Sequence, residues 1–137
     1  MSEKLILLVE DESSLRALAK AILARHWRVV ESADGMDALA RVCRMDGAID
    51  ALVTDINMPG MDGVQLAQAV TELYPAIPVV LMSGYCTQDN NQPKSVQAFV
   101  RKPFLPKHLI EAVRSVLSDR DSETDPTPGF SESPPNS

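Results

Sequence analysis

Short apolar runs alternate with segments of helical periodicity along most of the chain. Five segments have the length of strands, and they cover residues 4–9, 28–32, 51–54, 78–82 and 98–101. The first of them, KLILLV, is a continuous apolar run, which is typical of a strand that a parallel sheet buries on both faces. Apolar residues that recur every three or four positions predict helices over 15–26, from 35 onward, over 64–74 and from 106 onward. The alternation predicts an α/β fold with a five-stranded parallel sheet covered on both sides.

Each predicted helix has an apolar face that we expect to contact the sheet. The expected inward residues, helix by helix, are Leu15, Leu18, Ala19, Ile22 and Leu23; Met36, Leu39 and Cys43; Leu66, Val70 and Leu73; and Leu109, Val113, Val116 and Leu117. Side chains from Asp11 to Ser14 can cap the first helix, and Pro106 suits the first turn of the last one.

The acidic charge is concentrated near the C-terminus. The 137-residue chain has a net charge of −6. From residue 119 onward five acids and one base give −4, which leaves −2 for residues 1–118. The same segment is rich in Pro and Ser and has one large apolar side chain, Phe130. We therefore predict one folded domain over residues 1–118 and a disordered acidic tail over 119–137.

The composition argues against several classes of function. Residues 1–118 contain no cluster of Lys and Arg, so a nucleic-acid-binding module is not expected. No apolar run is long enough to span a membrane, and the N-terminus lacks the flanks of a secretion signal. Cys43 and Cys86 match no metal or redox spacing. We expect a cytoplasmic protein with reduced thiols and no membrane contact.

Carboxylates follow two of the predicted strands in the stretches LILLVED and ALVTDINMPGMDG. Glu10 and Asp11 come directly after the first strand, and Asp55 follows the third. Ligands of open parallel sheets bind at the carboxyl ends of the strands. If the first and third strands are neighbours, these three acids share one pocket and repel each other unless a cation lies among them. Oxygen ligands of this kind suit Mg²⁺ better than zinc.

Two further strand ends supply complementary groups. The fourth predicted strand is followed by the hydroxyl of Ser83, and the fifth by the ammonium group of Lys102. Carboxylates, a divalent cation, a hydroxyl and an ammonium around one point are typical of a phosphoryl-transfer site in which an aspartate is the nucleophile. The Pro- and Gly-rich loop after Asp55 would leave space for the incoming phosphoryl group.

These motifs together resemble the receiver domains of two-component response regulators, which are similar to CheY. The resemblance covers residues 4–118 and includes Glu10-Asp11, TDINMPGMDG, LMSGY and FVRKPF. It implies a flavodoxin-like sheet with strand order 2-1-3-4-5. The LMSGY and RKPF motifs are similar to those of receivers at the C-terminal end of hybrid sensor histidine kinases.

The resemblance also implies roles for individual residues. Asp55 resembles the aspartate that a histidine kinase or phosphotransfer protein phosphorylates. Glu10, Asp11 and Asp55 resemble the Mg²⁺ ligands, together with the backbone carbonyl of Asn57. Ser83 and Lys102 resemble the switch hydroxyl and the lysine that contact the phosphoryl group. Phe99 matches the aromatic switch residue of the family, and the Lys102–Pro103 peptide is expected to be cis. Such a chain catalyses only its own phosphorylation and dephosphorylation, and it can form homodimers.

One segment departs from the family pattern. Receivers place a full helix between the fourth and fifth strands, but GYCTQDNNQPKSVQ, residues 84–97, is short for this purpose. It contains turn-forming residues and a helix-breaking proline, and no apolar face can be drawn on it. We expect a shortened or irregular fourth helix here.

Two alternatives come from other functional classes. Phosphatases with an aspartyl nucleophile typically carry a second Asp two residues later as general acid, whereas this chain has Asn57. A pseudo-receiver would keep the fold and act as an interaction module without phosphorylation. Every acid that the chemistry requires is present, which favours a phosphorylated receiver over a pseudo-receiver.

Overall fold

The computed structural model describes residues 4–84 and 96–124, the last six of them by their backbone alone. The described residues form five strands and four helices. Their bounds in chain order are β1 Leu5–Val9, α1 Ser13–Leu23, β2 Arg28–Ser32, α2 Gly35–Arg44, β3 Ala51–Asp55, α3 Gly63–Leu73, β4 Val79–Ser83, β5 Val96–Arg101 and α4 Pro106–Thr124. The shortened helix predicted between β4 and β5 falls mainly on residues 85–95, which lie outside the described residues.

All strand pairs are parallel, and the order is β2-β1-β3-β4-β5. The predicted doubly wound sheet and its strand order are therefore confirmed. β1, β3 and β4 are buried along their whole length, as expected for strands with helices on both faces.

Two apolar cores lie on opposite faces of the sheet. Alternate residues of β1 show the division, because Leu7 and Val9 pack into one core while Ile6 and Leu8 pack into the other. The first core includes residues of α2 and α3, and the second includes residues of α1 and α4. None of the described helices combines the length and the apolar composition needed to cross a bilayer.

The inward face predicted for α2 was wrong at two of its three residues, since Leu39 packs against the core as expected. Ala38 and Val42 are buried, whereas Met36 is 64% exposed and Cys43 is also exposed. The helix turns its small residues inward because it lies close to the β3–α3 loop. A Cβ at Gly35 would stand 2.9 Å from atoms of Met61. The close contact with Met61 leaves no room for a side chain at residue 35, and the buried face of α2 consists of Gly35, Ala38 and Val42 rather than Met36.

Two further expectations from the apolar pattern differ from the structure. Leu73, predicted to point inward, is 54% exposed, and Leu66, Ala67 and Val70 form the buried face of α3. Leu18 on α1 is exposed as well. In each case an apolar residue at the margin of the helical stripe faces solvent, which is common on protein surfaces.

The last helix continues beyond the predicted domain boundary. Its inward residues are those expected, Leu109, Val113, Val116 and Leu117, but its backbone remains helical to Thr124, six residues past Ser118. Residues 125–137, where most of the predicted disordered tail falls, lie outside the described residues.

Candidate functional site

The strand register brings the predicted site residues to one edge of the sheet. Val9 pairs with Thr54 in β3, so the turn after β1 lies beside the end of β3. Asp55 pairs with Met82, and Ser83 pairs with Arg101. The carboxyl ends of β1, β3, β4 and β5 consequently meet around Asp55, which is where ligands of open α/β sheets bind.

The three predicted acids form a compact cluster. Glu10 is 1% exposed and Asp55 is 4% exposed, while Asp11 lies at the surface. One carboxylate oxygen from each residue lies within 4.8 Å of those from the other two. Asp11 is therefore the member of the cluster that solvent reaches most readily.

Lys102 connects the two buried acids. Its Nζ lies 2.9 Å from Oε1 of Glu10 and 3.0 Å from Oδ1 of Asp55. Its backbone N–H donates to the carbonyl oxygen of Ser83 at 2.8 Å, which fixes the end of β5 against the end of β4. The Lys102–Pro103 peptide is cis, as expected.

Burial and pairing shift two pKa values in this site. Burial raises the pKa of the Glu10 carboxyl above its usual value, although hydrogen bonds from Lys102 and from the Glu12 N–H act in the opposite direction. For Lys102, burial alone would lower the pKa, but the hydrogen bonds and charges of Glu10 and Asp55 outweigh it and raise the pKa. Lys102 is therefore held in its charged form between the two acids.

The β1–α1 turn is fastened through every polar atom of Glu10. Its N–H donates to the carbonyl of Ser32, and its own carbonyl accepts from Nη1 of Arg16. Its two carboxylate oxygens accept from Lys102 and from the N–H of Glu12. Arg16 was not among the predicted site residues, because its contact to the Glu10 carbonyl depends on how α1 packs beside the β1–α1 turn.

The β3–α3 loop is organised by residues that do not belong to the acidic cluster. Asp62 forms a capping box with Gln65, in which each side chain accepts from the other residue's backbone N–H. The second acid of the DINMPGMDG stretch is therefore a helix cap. Gly63 approaches β3 so closely that a Cβ would overlap the carbonyl oxygen of Asp55. Gly63 thus lets α3 begin directly behind the aspartate.

The remaining predicted residues surround the cluster at different depths. Ser83 is buried at the end of β4, and Phe99 on β5 is 43% exposed. Asn57 is exposed in the loop two residues after Asp55. Tyr85, which follows the switch hydroxyl in the sequence, lies outside the described residues.

The cluster has the chemistry of a site for a hard divalent cation. Three carboxylates and one ammonium give a formal charge of −3 + 1 = −2. All the candidate side-chain ligands are oxygen atoms, which suit Mg²⁺ or Ca²⁺ rather than softer metals. A cation here would relieve the repulsion between acids that lie within a few ångströms of each other.

Comparison with known proteins supports this picture. Residues 6–114 match the family model described as the response regulator receiver domain. The chain is 30% identical over 119 residues to the response regulator receiver protein CpdR of Brucella abortus, covering 83% of this chain and 97% of that protein.

A second relative is much longer than this chain. Sensor kinase CckA of the same organism is 34% identical over 120 residues, which are 85% of this chain but only 13% of the kinase. Among solved structures, a receiver domain from the hybrid histidine kinase CckA is 38% identical with a TM-score of 0.71, covering 82% of this chain and 98% of that domain. With its five-stranded sheet and its acidic cluster at the carboxyl edge, the chain belongs to the response regulator receiver domain family.

Proposed function

We propose that this chain is the phosphoacceptor module of a two-component phosphorelay, in which Asp55 receives the phosphoryl group in an Mg²⁺-dependent reaction. One observation carries the proposal: the carboxylate of Asp55 stands at the end of a buried strand within 3.0 Å of an ammonium and within 4.8 Å of two further carboxylates. Receiver domains are signalling modules rather than classical enzymes, so the reaction takes place on the domain's own side chain.

The proposed step is a single phosphoryl transfer. A carboxylate oxygen of Asp55 attacks the phosphorus of a phosphohistidine, a new P–O bond forms, and the P–N bond breaks as the imidazole leaves. When bound, Mg²⁺ neutralises charge on the phosphoryl oxygens. Glu10 and Asp11 would hold it together with Asp55 and the Asn57 carbonyl. Attack by water on the acyl phosphate returns inorganic phosphate and the free carboxylate.

Lys102 has a defined role in this scheme. Its ammonium lies close enough to Asp55 to donate to a phosphoryl oxygen once the aspartate is modified. Since its pKa is raised, Lys102 stays protonated at neutral pH and supplies a positive charge throughout the transfer.

The readout would pass through β4 and β5. We propose that the Ser83 hydroxyl moves to the phosphoryl group and that Phe99 changes its exposure in response. Phe99 pairs with Leu81 in the neighbouring strand, two residues before Ser83, so the two strands can couple these positions. A large aromatic side chain that is 43% exposed offers a contact that a partner can recognise.

The partners follow from the same proposal. The donor would be a sensor histidine kinase or a histidine phosphotransfer protein, since one relative is named a sensor kinase. The chain spans 13% of the length of that relative and 97% of the length of the receiver protein CpdR. The cytoplasmic location, the possibility of a homodimer and the lack of nucleic-acid binding stay predictions.

Labelling with a small acyl phosphate donor tests the acceptor. The intact protein should gain one phosphoryl mass in the presence of Mg²⁺ and none in its absence. Asp55→Asn should abolish the gain. Asp62→Asn is the matched control, since Asp62 lies in the same loop but caps α3, and asparagine also caps helices well. Undiminished labelling of Asp55→Asn would exclude Asp55 as the acceptor.

The pseudo-receiver alternative makes a different prediction. An interaction module without phosphorylation would bind neither Mg²⁺ nor the phosphoryl analogue beryllofluoride, and its amide spectrum would not respond to them. A phosphoacceptor should show shifts around Asp55, Ser83 and Lys102 when both are added. A phosphatase would instead release phosphate repeatedly from an external substrate, for which Asn57 offers no acid.

A further inference from the structure

Arg16 links the turn that carries the acidic pair to the neighbouring strand β2. Its Nη1 donates to the carbonyl oxygen of Glu10 at 2.8 Å, and its Nε donates to Oε1 of Glu31 at 3.2 Å. The side chain is 21% exposed, so these contacts are partly shielded from water. Both contacts go to groups behind the site rather than to the carboxylate oxygens that face Asp55.

The second partner of this guanidinium is itself held in place. Glu31 accepts from Lys20 through its other oxygen at 2.9 Å, and hydrogen bonding to Lys20 lowers the pKa of its carboxyl. Arg16 and Lys20 are four residues apart on α1, so both reach one carboxylate on β2. The contact of Nε with Glu31 orients the guanidinium plane, and Nη1 then points at the Glu10 carbonyl.

A contact that holds the β1–α1 turn is needed because the acidic side chains of the turn are repelled by Asp55. Glu10, Asp11 and Asp55 repel one another, and the repulsion favours a turn that swings away from β3. A hydrogen bond from a charged guanidinium to a backbone carbonyl is stronger than one between neutral groups. It fixes the backbone of the turn through the Glu10 carbonyl rather than through a carboxylate oxygen of the cluster.

We propose that Arg16 is a positioning residue for the acidic pair: by holding the Glu10 carbonyl it keeps Glu10 and Asp11 facing Asp55 and so sets the affinity for the divalent cation. The inference rests on the proposed Mg²⁺-dependent function. It deepens that function by assigning to α1 a role in metal binding, although Arg16 on α1 contacts none of the three carboxylates of the cluster.

Electrostatics alone predicts the opposite result, which makes the inference testable. Removing a positive charge near a cation site should tighten Mg²⁺ binding. Losing a positioning contact should weaken Mg²⁺ binding, because replacing residues that orient metal ligands lowers metal affinity by about 10-fold or more. The sign of the change therefore separates the two effects.

The experiment is an Mg²⁺ titration of the full chain, followed by amide chemical shifts. Arg16→Gln should weaken Mg²⁺ binding about 10-fold. Arg16→Lys should recover part of the loss, because an ammonium can reach one of the two partners. Lys20→Gln, which removes a cation from the same carboxylate but no contact to Glu10, should bind Mg²⁺ as tightly as the wild type or slightly more so. Exchange of the Glu12 N–H, a donor to Glu10, should accelerate in Arg16→Gln.

Three results would overturn the inference. Unchanged or tighter Mg²⁺ binding by folded Arg16→Gln would leave only the electrostatic effect. An equal loss in Lys20→Gln would assign the effect to the Glu31 ion pairs. A wild-type chain that binds no Mg²⁺ would contradict the proposed Mg²⁺-dependent function itself. The wild-type titration comes first, so this outcome is distinguished from a failure of the inference about Arg16. If Arg16→Gln does not fold, Arg16→Lys decides: wild-type Mg²⁺ affinity together with faster exchange of the Glu12 N–H would show that the turn can loosen without a loss of affinity, which contradicts the inference.

Discussion

At the scale of single residues, Lys102 provides the positive charge that lets two acids stay buried side by side. Glu10 is almost completely inaccessible, and an ionised carboxylate in such a position needs a partner. Lys102 serves Glu10 and Asp55 at once through a single ammonium. Without a bound metal, the Lys102 ammonium therefore supplies part of the positive charge that a metal ion would bring to the two acids.

Replacing this lysine should destabilise the fold and increase the benefit of metal. Lys102→Gln leaves Glu10 and Asp55 without their shared cation, and losing a charged partner of buried groups costs about 1–3 kcal/mol. Thermal unfolding should show a lower midpoint for the variant, and Mg²⁺ should raise that midpoint by more than it does in the wild type. Lys107→Gln, at an exposed position of α4, is the control. An unchanged midpoint without metal would contradict the structural role given to Lys102.

Gly63 offers a second test at residue scale, because it is required by space rather than by backbone conformation. A Cβ at this position would overlap the carbonyl of Asp55, and the contact is with backbone that cannot move away easily. Gly63→Ala should lower the free energy of unfolding by about 1–3 kcal/mol, as overpacking does. Gly84→Ala is the control, since a Cβ there meets nothing within 4 Å. Equal stability of the two variants, measured by denaturant unfolding, would show that the loop relaxes freely.

At the scale of elements, the apolar pattern predicted the order and type of the described strands and helices. Runs such as LILLV and VVLM are buried on both faces, so their sequence and their environment agree. The faces of the helices were predicted less well. On α2 the sheet side is occupied by Ala38 and Val42, and the large Met36 faces outward. Which side of an amphipathic helix is buried depends on how closely it can approach its neighbours, and that distance is set by Gly35 and Met61.

Those residues of the candidate site that lie at or directly after strand ends could be predicted from the sequence. Glu10, Asp11, Asp55, Ser83 and Lys102 each end or follow a strand, and a parallel sheet brings such ends together. Arg16 lies inside the first predicted helix, and Gly63 directly precedes the third. Their contacts to Glu10 and Asp55 depend on how α1 and α3 pack, which no local pattern encodes.

The ion pairs between α1 and β2 predict a pH dependence at element scale. Hydrogen bonding to Lys20, with a smaller contribution from Arg16, lowers the pKa of Glu31 below its ordinary value of 4.5 in the folded protein. A lowered folded-state pKa contributes stability above the unfolded-state pKa, and this contribution is lost as the pH falls through the folded-state value.

Glu31→Gln should therefore be less stable than the wild type at pH 7, by less than about 1 kcal/mol because the carboxylate is at the surface. Below the ordinary pKa of 4.5 the difference between the two proteins should shrink as the wild-type carboxylate is protonated. Denaturant unfolding of both proteins at several pH values measures it. A difference that grew on acidification would mean that the pairs do not stabilise the ionised form.

At the scale of the whole molecule, the sheet places strong local repulsion at one edge of an otherwise apolar core. The strands are held by two apolar layers, and the acids at their ends repel each other across the β1–β3 junction. Folding energy from the cores thus maintains a cluster that would otherwise separate. Any ligand that binds the folded cluster and not the unfolded chain raises the free energy of unfolding.

Mg²⁺ should consequently stabilise the whole fold, and Asp11 should decide how strongly. Binding to the folded state alone adds RT ln(1 + [Mg²⁺]/Kd), which amounts to about 2.7 kcal/mol at a hundred times Kd. Asp11 is the exposed member of the cluster, so Asp11→Asn should leave the metal-free midpoint unchanged or slightly higher, since one repulsive charge is gone. The same variant should lose most of the rise in midpoint that Mg²⁺ produces in the wild type. Sodium chloride at equal ionic strength separates screening from binding, because screening acts on both proteins alike. A wild-type midpoint that rises no more with Mg²⁺ than with sodium would show that the cluster holds no divalent cation, and an equal rise in Asp11→Asn would place the ion elsewhere on the protein.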